Sequence, residues 1–309
     1  MKKIVIRLLT ISLLVVGLVF ALNKHLLTGI NPNNNQKVSN DFSFIFMTDL
    51  HIQPENNAVA GVKQAIKMVN DYKPDFVMLG GDLIIDAWSQ QYSRADSLYN
   101  LFQKIIREIQ SPVHYTIGNH DIWGFSKEKG VDVNNPEYGK KMFEKRIGKR
   151  YYNFTYKNYR FYVLDGIDDT NDNQLKGHVS DEQLNWLKND LAKVSKDVPL
   201  AIVCHIPFVT TLTQLQQGAL AASPVYLVID NNVEVLKLFD GYNLKLVLQG
   251  HLHFFEDLYV NNIHFVTGGS ICGDKWHGPD NGTNNGFVVV NIVDNNPTVR
   301  YVEDKWESK

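Results

Sequence analysis

Short runs of apolar and β-branched residues alternate with amphipathic stretches along most of the chain. The apolar runs predict strands at residues 42–47, 76–79, 113–117, 160–164, 200–204 and 245–248. Apolar positions three or four residues apart predict helices at residues 59–71, 92–109 and 181–194. Ser180 precedes the last helix and Gln183 follows three residues later, which is the pattern of a capping box. This alternation is typical of an α/β domain.

The pattern changes toward the C-terminus. Residues 258–260, 263–267, 287–292 and 299–302 predict four strands, separated by turns that contain Asn-Asn, Gly-Gly and Asn-Pro. No helical periodicity separates them, and no internal repeat is present. Because nothing between residues 41 and 303 reads as a boundary, we predict one domain there, followed by a tail at residues 304–309.

The N-terminus has the pattern of an export signal. Lys2, Lys3 and Arg7 precede an apolar stretch at residues 8–22, which is short for a membrane span of about 20 residues. Residues 1–22 therefore predict a cleaved signal peptide or an uncleaved signal anchor, with a buried core helix as the third alternative. Residues 23–40 read as a polar linker. We expect export across the cytoplasmic membrane to a periplasmic, secreted or membrane-anchored location.

Composition excludes several classes of protein. The 309 residues are 44% hydrophobic and 21% charged, which is ordinary for a globular protein and unlike a disordered or collagenous one. The formal net charge of -2 provides no basic surface of the kind that binds nucleic acid. Two cysteines exclude a disulfide framework and a four-cysteine zinc site.

Five polar motifs follow predicted strands, each at the point where a strand ends. In chain order they are Asp49-Leu50-His51, Gly80-Gly81-Asp82, Gly118-Asn119-His120-Asp121, His205 and Gly250-His251-Leu252-His253. In open α/β sheets, ligands bind beyond the carboxyl ends of the strands. We therefore expect the five motifs to meet at one site.

The expected site is rich in oxygen and imidazole ligands. Carboxylates and neutral imidazoles suit metals such as Mn, Fe and Zn. The candidate ligands are Asp49, His51, Asp82, Asn119, His205, His251 and His253. Seven ligands are too many for one tetrahedral zinc but suit two metals that share a bridging carboxylate. Glycines before Asp82, Asn119 and His251 permit tight turns and close approach of the backbone.

Taken in order, the five motifs resemble the calcineurin-like metallophosphoesterase superfamily over residues 42–302. The resemblance implies a four-layer α/β/β/α sandwich of two mixed sheets, with the strand-only C-terminal part in the second sheet. It also implies a dinuclear metal site at the carboxyl ends of the strands. The implied assignments are Asp49, His51 and His253 to one metal, Asn119, His205 and His251 to the other, Asp82 as the bridge, and His120 as a catalytic residue that binds no metal.

Two differences from other branches of this superfamily indicate which branch the chain resembles. The second motif continues Gly80-Gly81-Asp82-Leu83-Ile84-Ile85 without the metal-binding tyrosine of purple acid phosphatases. Asp121 stands where protein phosphatases usually have glutamate, and no arginine occurs near the second motif before Arg94. The chain is therefore more similar to the branch of class III cyclic nucleotide phosphodiesterases and related bacterial phosphoesterases.

These features lead to the hypothesis of metal-dependent hydrolysis of a small-molecule phosphomonoester or phosphodiester. A hydroxide bridging two divalent ions, or a mixed Fe and divalent pair, would attack phosphorus, and His120 would be the general acid. The metals would be Mn, Fe or Zn. The alternatives are a protein phosphatase and a metal-containing surface module that binds a partner without catalysis.

Other polar and aromatic residues have more than one interpretation. Asp121 could orient His120 or make a structural hydrogen bond or ion pair. The acidic residues Asp165, Asp168, Asp169 and Asp172 lack the spacing of a calcium loop and are better read as a solvated turn. Cys204 is predicted to be buried in the core. Cys272, Trp276 and His277, with Trp88 and Trp123, are pocket walls or core residues.

Overall fold

The computed structural model describes residues 39–125, 131–170 and 174–307. The predicted export signal lies outside the described residues, as does all of the predicted linker except its last two residues. Among the helices that are described, none is both long enough and apolar enough to span a membrane. Export and anchoring therefore stay predictions.

Strands dominate the described part of the chain. They are β1 (Phe42–Met47), β2 (Phe76–Leu79), β3 (Val113–Tyr115), β4 (Tyr152–Tyr156), β5 (Tyr159–Leu164), β6 (Ile167–Asp169), β7 (Leu175–Gly177), β8 (Pro199–Cys204), β9 (Asn243–Gln249), β10 (Phe255–Val260), β11 (Ile263–Gly268), β12 (Gly286–Val293) and β13 (Asn296–Glu303). The helices are α1 (Ala58–Tyr72), α2 (Tyr92–Ile106), α3 (Lys141–Arg146), α4 (Asp181–Leu191), α5 (Leu212–Gln217) and α6 (Asn232–Lys237).

Two mixed sheets form the centre of the fold. The first has the strand order β13-β12-β1-β2-β3, and the second has the order β10-β11-β9-β8-β5-β4. Strands β1, β2 and β3 are parallel, as are β5, β8, β9 and β11. The carboxyl ends of β1–β3 therefore lie at one edge of the first sheet, and those of β8 and β9 at one edge of the second.

Each central strand is buried on both faces. In β1, Phe42, Phe44 and Phe46 belong to an aromatic-rich core that also takes side chains from β5, β8 and β9. Ile45 and Met47, on the opposite face, join the core that includes the helices. Because successive strand side chains point to opposite faces, β1 contributes to both cores, as the predicted four-layer sandwich requires.

The predicted fold class is confirmed, with one correction to the topology. All six predicted strands of the alternating region and all three predicted helices are present, with ends shifted by up to three residues. The prediction that the whole C-terminal part belongs to the second sheet is wrong for β12 and β13. Strand β12 pairs antiparallel with β1, and β13 pairs with β12, so both extend the first sheet.

The predicted capping box before α4 does not form as expected. Ser180 is the N-cap residue, but its side chain makes no capping hydrogen bond to the helix backbone. The Gln183 side chain instead accepts from Asp165 N at 2.9 Å and donates to Asp165 O at 2.8 Å. Gln183 therefore satisfies the buried backbone of Asp165 instead of the helix end.

The prediction of a solvated acidic turn is wrong for Asp165. Its side chain is fully buried, and its Oδ2 accepts from Lys140 Nζ at 2.7 Å and from Arg150. Asp168 and Asp169 lie on the hairpin β6-β7, where Asp169 is exposed as predicted. Asp172 lies outside the described residues. One of the four acidic residues is thus a buried ionic anchor between β5, α3 and the segment before β4.

The chain stays packed after β13. Asp304 is buried, and its backbone oxygen accepts from Gln64 Nε2 at 2.7 Å. The Trp306 ring packs edge-on against Trp276, with 5.9 Å between the ring centroids. Residues 304–306, which the sequence places in a tail, therefore contact the domain.

We predict that Asp165→Ala lowers the free energy of unfolding by about 2–3 kcal/mol, because two cations would lose their buried carboxylate partner. Urea denaturation that measures the midpoint at constant slope tests this. The matched control is Asp169→Ala on the adjacent hairpin, which should change stability by less than about 0.5 kcal/mol. Equal effects of the two variants would contradict the anchor role.

Candidate metal centre

The carboxyl ends of five strands bring the predicted ligands together. Asp49 and His51 follow β1, Asp82 follows β2, and Asn119 begins a short 3-10 turn after β3. His205 follows β8, and His251 and His253 follow β9. Six of the seven side chains are buried, and His251 is half-buried. The structure thus places all seven in one cluster, which we call the ligand cluster.

Asp82 lies between the two predicted halves of the ligand cluster. Its Oδ2 is 3.5 Å from His51 Nε2 and 3.2 Å from His205 Nε2. Its Oδ1 accepts from the backbone N–H of His120 at 2.8 Å, which holds the carboxylate in this orientation. One oxygen therefore faces a histidine from each half, the position that a bridging carboxylate needs.

One carboxylate oxygen of Asp49 accepts hydrogen bonds from the protein, and the other accepts none. Its Oδ2 accepts from Thr48 Oγ1 at 2.6 Å and from the backbone N–H of His251 at 3.0 Å. Its Oδ1 makes no hydrogen bond and lies 3.3 Å from His253 Nε2. The free oxygen points into the half of the cluster to which the resemblance assigns it.

Every histidine of the ligand cluster has one ring nitrogen occupied by a backbone carbonyl. The pairs are His51 Nδ1 with Ile85 O at 3.4 Å, His205 Nδ1 with Gly80 O at 2.8 Å, His251 Nε2 with Tyr226 O at 2.9 Å and His253 Nδ1 with Gly273 O at 2.6 Å. A carbonyl only accepts, so the proton of each neutral ring is on the occupied nitrogen. In the neutral form of each ring the other nitrogen keeps its lone pair, as in metal-binding histidines.

The geometry of the ligand cluster calls for cations. His51 Nε2 and His253 Nε2 are 3.2 Å apart, so either a proton lies between the two nitrogens or a metal cation lies near both. Burial disfavours a charged His253, but its neighbours, Asp49 among them, outweigh this and raise its pKa well above the usual value. Asp49 Oδ1, Asn119 Oδ1 and His205 Nε2 are buried without a hydrogen-bond partner. Buried acceptors without partners are costly. Metal ions bound here would satisfy these atoms, so the donor set fits metal binding.

The pKa values of the histidines in the ligand cluster also fit a metal site. Burial lowers the pKa of His51 to about 3 and that of His251 to about 4, which favours the neutral rings that bind metals. Burial also disfavours a charged His205, but Asp82 and Asp49 outweigh it and raise the His205 pKa to about 9. A proton on His205 thus takes the place of a metal cation, and metal binding would release it.

The backbone at the ligands is strained. Asp49, His51, Asp82, His251 and His253 have φ values of 55°, 43°, 49°, 70° and 50°, in the left-handed region that non-glycine residues rarely adopt. Each such residue costs of the order of 1–3 kcal/mol. Five of seven predicted ligands share this feature, and the packed strands below them hold them in it.

Gly118 is required by the closeness of two motifs. A Cβ at this position would lie 2.0 Å from the backbone nitrogen of Asp82. No side chain fits in that space, so glycine alone allows the loop after β3 to reach the loop after β2. This contact brings Asn119 and His120 to the bridging carboxylate.

His120 lies at the rim of the cluster with a carboxylate beside it. Its Nδ1 is 3.4 Å from Asp86 Oδ1, and a quarter of the side chain is exposed. Burial lowers the pKa of His120, but Asp82 and Asp86 outweigh this and raise it. The imidazolium form is therefore favoured, as a general acid requires.

Asp86 is a residue that sequence reasoning missed. Its Oδ2 also accepts from Ser89 Oγ at 2.6 Å and from Gln90 Nε2 at 3.1 Å. Despite partial burial, the hydrogen bonds from His120, Ser89 and Gln90 lower its pKa to about 2, so it is ionised. An acidic residue in the loop after β2 was the only signal in the sequence.

Asp121, whose role the sequence left open, is a structural residue. It accepts from the backbone nitrogens of Leu83 at 2.9 Å, Ile84 at 3.3 Å and Gly118 at 2.8 Å. These bonds join the loops after β2 and β3. Burial, followed by the charge of Asp82, raises its pKa to about 7. Asp86, not Asp121, pairs with His120.

The residues between β11 and β12 support the cluster from behind. Trp276 is buried, and its Nε1 donates to the backbone oxygen of His51 at 3.1 Å. Cys272 Sγ lies near His51 and His253, but burial raises its pKa to about 12, so it is a thiol. Trp276, Cys272 and the buried Trp123 are therefore core residues. Cys204 is buried, as predicted.

The family follows from comparison with known proteins. The family model described as calcineurin-like phosphoesterase matches residues 42–255, more than half of the chain. This chain belongs to the calcineurin-like phosphoesterase family. It is accordingly a hydrolase of phosphoric ester bonds that uses divalent metal ions, and the predicted family is confirmed.

Members with named activities are distant relatives. A 3′,5′-cyclic-nucleotide phosphodiesterase of Nostoc sp. is 22% identical over 237 residues, which are 73% of this chain and 77% of the relative. The human manganese-dependent ADP-ribose/CDP-alcohol diphosphatase is 26% identical over 182 residues, 43% of this chain and 52% of the relative. This chain thus spans about half the length of the human phosphoesterase.

One solved structure with the same fold is described as a dimetal phosphatase. The dimetal phosphatase from Danio rerio superposes with a TM-score of 0.59 at 14% identity, over 85% of this chain and 97% of that one. The similarity supports the two-sheet sandwich of this phosphoesterase. It leaves the roles of the individual ligands as predictions.

We predict that Asp82→Asn reduces the metal content from two ions per chain to well below one, because a bridging carboxylate serves both sites. His251→Ala should instead keep about one ion, since it removes a ligand from one half only. Elemental analysis after equilibration with Mn²⁺ and desalting measures both variants. Two ions retained in Asp82→Asn would show that Asp82 does not bridge.

Proposed function

We propose that this phosphoesterase hydrolyses a small-molecule phosphodiester, with two metal ions in the ligand cluster and His120 as the general acid. Asp49, His51 and His253 would hold one ion, Asn119, His205 and His251 the other, and Asp82 both. When bound, such ions neutralise charge on the phosphoryl oxygens and make water a stronger nucleophile near neutral pH. Oxygen and imidazole ligands favour Mn, Fe or Zn.

The charge of the surrounding clefts supports a diester. One cleft of about 390 Å³ contains His51, Asp82 and His251, and a second of about 440 Å³ lies beyond His120. Among the described residues that line the two clefts, Lys275 is the only lysine or arginine. A monoester carries about two negative charges near neutral pH, whereas a diester carries one. The metal ions would meet either ester, and beyond them the clefts offer one cationic side chain, so the single charge of a diester is the better match.

The names of the relatives agree with this choice. The Nostoc protein is named for cyclic nucleotides and the human protein for ADP-ribose and CDP-alcohols. In each of these compounds the phosphorus under attack is bonded to two substituents through oxygen and carries one negative charge. A singly charged phosphoryl group is thus the feature that these substrates share with the one proposed here.

His120 would supply a proton to the leaving oxygen. The ring lies at the rim of the ligand cluster, and Asp86 contacts Nδ1, which leaves Nε2 available to the substrate. Asp86 also favours the charged ring, so it positions and charges the acid without touching the substrate. The need for this proton depends on the leaving group, since an alkoxide is a far stronger base than a nitrophenolate.

We predict that, with Mn²⁺, kcat/KM for bis-p-nitrophenyl phosphate exceeds that for p-nitrophenyl phosphate by at least about tenfold, or ~1.4 kcal/mol of barrier. Chelation should abolish both activities, and Mn²⁺ should restore them. Preference for the monoester would favour a phosphatase, including the protein phosphatase alternative. Two bound ions without hydrolysis of either ester would favour the binding module.

We predict that His120→Ala costs about 10²- to 10⁴-fold in kcat on a diester with an alkoxide leaving group and much less on one that releases nitrophenolate. Asp86→Asn should show the same dependence on the leaving group with a smaller loss. His251→Ala is the matched control, because damage to the metal centre should affect both esters alike. Equal losses on the two esters in His120→Ala would leave the general acid unidentified.

A further inference from the structure

The cleft beyond His120 has a different character from the ligand cluster. It is lined by Ile85, Trp88 and Leu175, with Asp86, Ser89, Asn119, His120 and Lys275 around them. The indole of Trp88 is half-buried there. Of the ligand cluster, only Asn119 lines this cleft. We call it the Trp88 cleft.

Trp88 is held in a fixed relation to His120. Its backbone N–H donates to Asp86 Oδ1 at 2.9 Å, and the same oxygen lies 3.4 Å from His120 Nδ1. The Phe125 ring packs edge-on against the indole, with 4.5 Å between the ring centroids. One carboxylate oxygen therefore positions both the proton donor and the aromatic wall beside it.

His120 marks the boundary between the two clefts. Together with Lys275 it lines both of them, whereas His51, Asp82 and His251 line only the cluster side. A phosphoryl group held by the cluster thus has His120 between it and the Trp88 cleft. An oxygen that His120 protonates must lie against His120, so the group attached to that oxygen extends toward the Trp88 cleft.

The far side of the cluster offers a different surface. The cleft there is lined by Gln216, Asp280 and Asn281, together with Tyr226. Leu212, Leu227 and Leu252 complete that lining. The substituent that stays on the phosphoryl group would thus meet a mixture of polar and aliphatic side chains, and the one that leaves would meet the indole of Trp88. The two substituents of a diester would therefore meet unlike environments.

We propose that the Trp88 cleft is the leaving-group subsite, and that it selects phosphodiesters whose leaving group carries a flat aromatic or heteroaromatic ring. The proposal rests on the proposed function and specifies its substrate. Stacking on an indole gives a ring-bearing leaving group an interaction that an alkyl group of similar size lacks. Hydrolysis breaks the bond from phosphorus to the leaving oxygen, water supplies the new oxygen on phosphorus, and His120 protonates the leaving oxygen, which departs as an alcohol.

Two diesters with one leaving group test the proposal. Methyl p-nitrophenyl phosphate and thymidine 5′-(p-nitrophenyl phosphate) both release p-nitrophenolate but retain substituents of very different size. Trp88→Ala should lower kcat/KM by about five- to twentyfold on both esters, and by the same factor. Trp88→Phe should lose less than about threefold on both, because a ring remains. Leu175→Ala, on the same cleft, should lose about threefold on both.

Trp186→Ala is the matched control, because Trp186 lies on α4 and packs against Tyr151 rather than against either cleft. It should leave both values unchanged, and the metal content of every variant should equal that of the wild type. If Trp88→Ala does not fold, Trp88→Phe and Leu175→Ala still decide the proposal. The proposal is supported if Trp88→Phe lowers kcat/KM slightly and equally on the two esters, and if Leu175→Ala lowers it about threefold on both.

Two results would overturn the subsite while the wild type remains active. A loss confined to the thymidine ester would place the retained substituent in the Trp88 cleft. No loss on either ester, in both Trp88→Ala and Leu175→Ala, would show that the cleft holds neither substituent. If the wild type with Mn²⁺ hydrolyses neither ester, the proposed function itself fails, and the subsite fails with it.

Discussion

The structure depends on a cluster of buried ligand atoms that require positive charge among them, supplied by protons or by metal ions. His51 Nε2 and His253 Nε2 face each other at 3.2 Å, and Asp49 Oδ1 is buried beside them without a hydrogen bond. In a protein core such atoms are costly unless they are paired. Two sheets contribute to the cluster, so bound metal ions would also join the loops of one sheet to those of the other. Metal binding and stability of this edge of the fold are therefore coupled.

Rigid surroundings make that arrangement possible. The backbone carbonyls behind the rings determine which nitrogen of each histidine carries the proton, and the left-handed residues aim the side chains inward. In a flexible loop the carbonyl contacts would break and the left-handed residues would adopt other backbone conformations. Here the loops after β2 and β3 are joined by Asp121, which accepts three backbone hydrogen bonds, and Gly118 allows their close contact. The strain at the ligands is thus offset by packing and hydrogen bonds outside the cluster.

The sequence predicts the parts of the fold that depend on a local residue pattern. It does not predict contacts that depend on residues far away in the chain. Strand-end motifs predicted that the seven candidate ligands follow strands whose carboxyl ends meet, and their roles as ligands stay predictions. The sheet of β12 could not be predicted, since a strand that is apolar on both faces fits either sheet equally well. Gln183 has the right spacing for a capping box, yet its side chain bonds the distant backbone of Asp165 instead. Asp86 has no motif, and only the folded loop shows that it faces His120.

Asp86 connects the chemistry of the site to its selectivity. The same carboxylate contacts the imidazole that would donate the proton and fixes the backbone of Trp88, which lines the neighbouring cleft. A displacement of this loop would move the acid and the aromatic wall together, so the two cannot vary independently. Of the predicted ligands, only Asp82 lies in that loop, and the other six follow strands β1, β3, β8 and β9. The family's shared chemistry is therefore built on the sheets of this chain, and the features that would distinguish its substrate are built on one loop after β2.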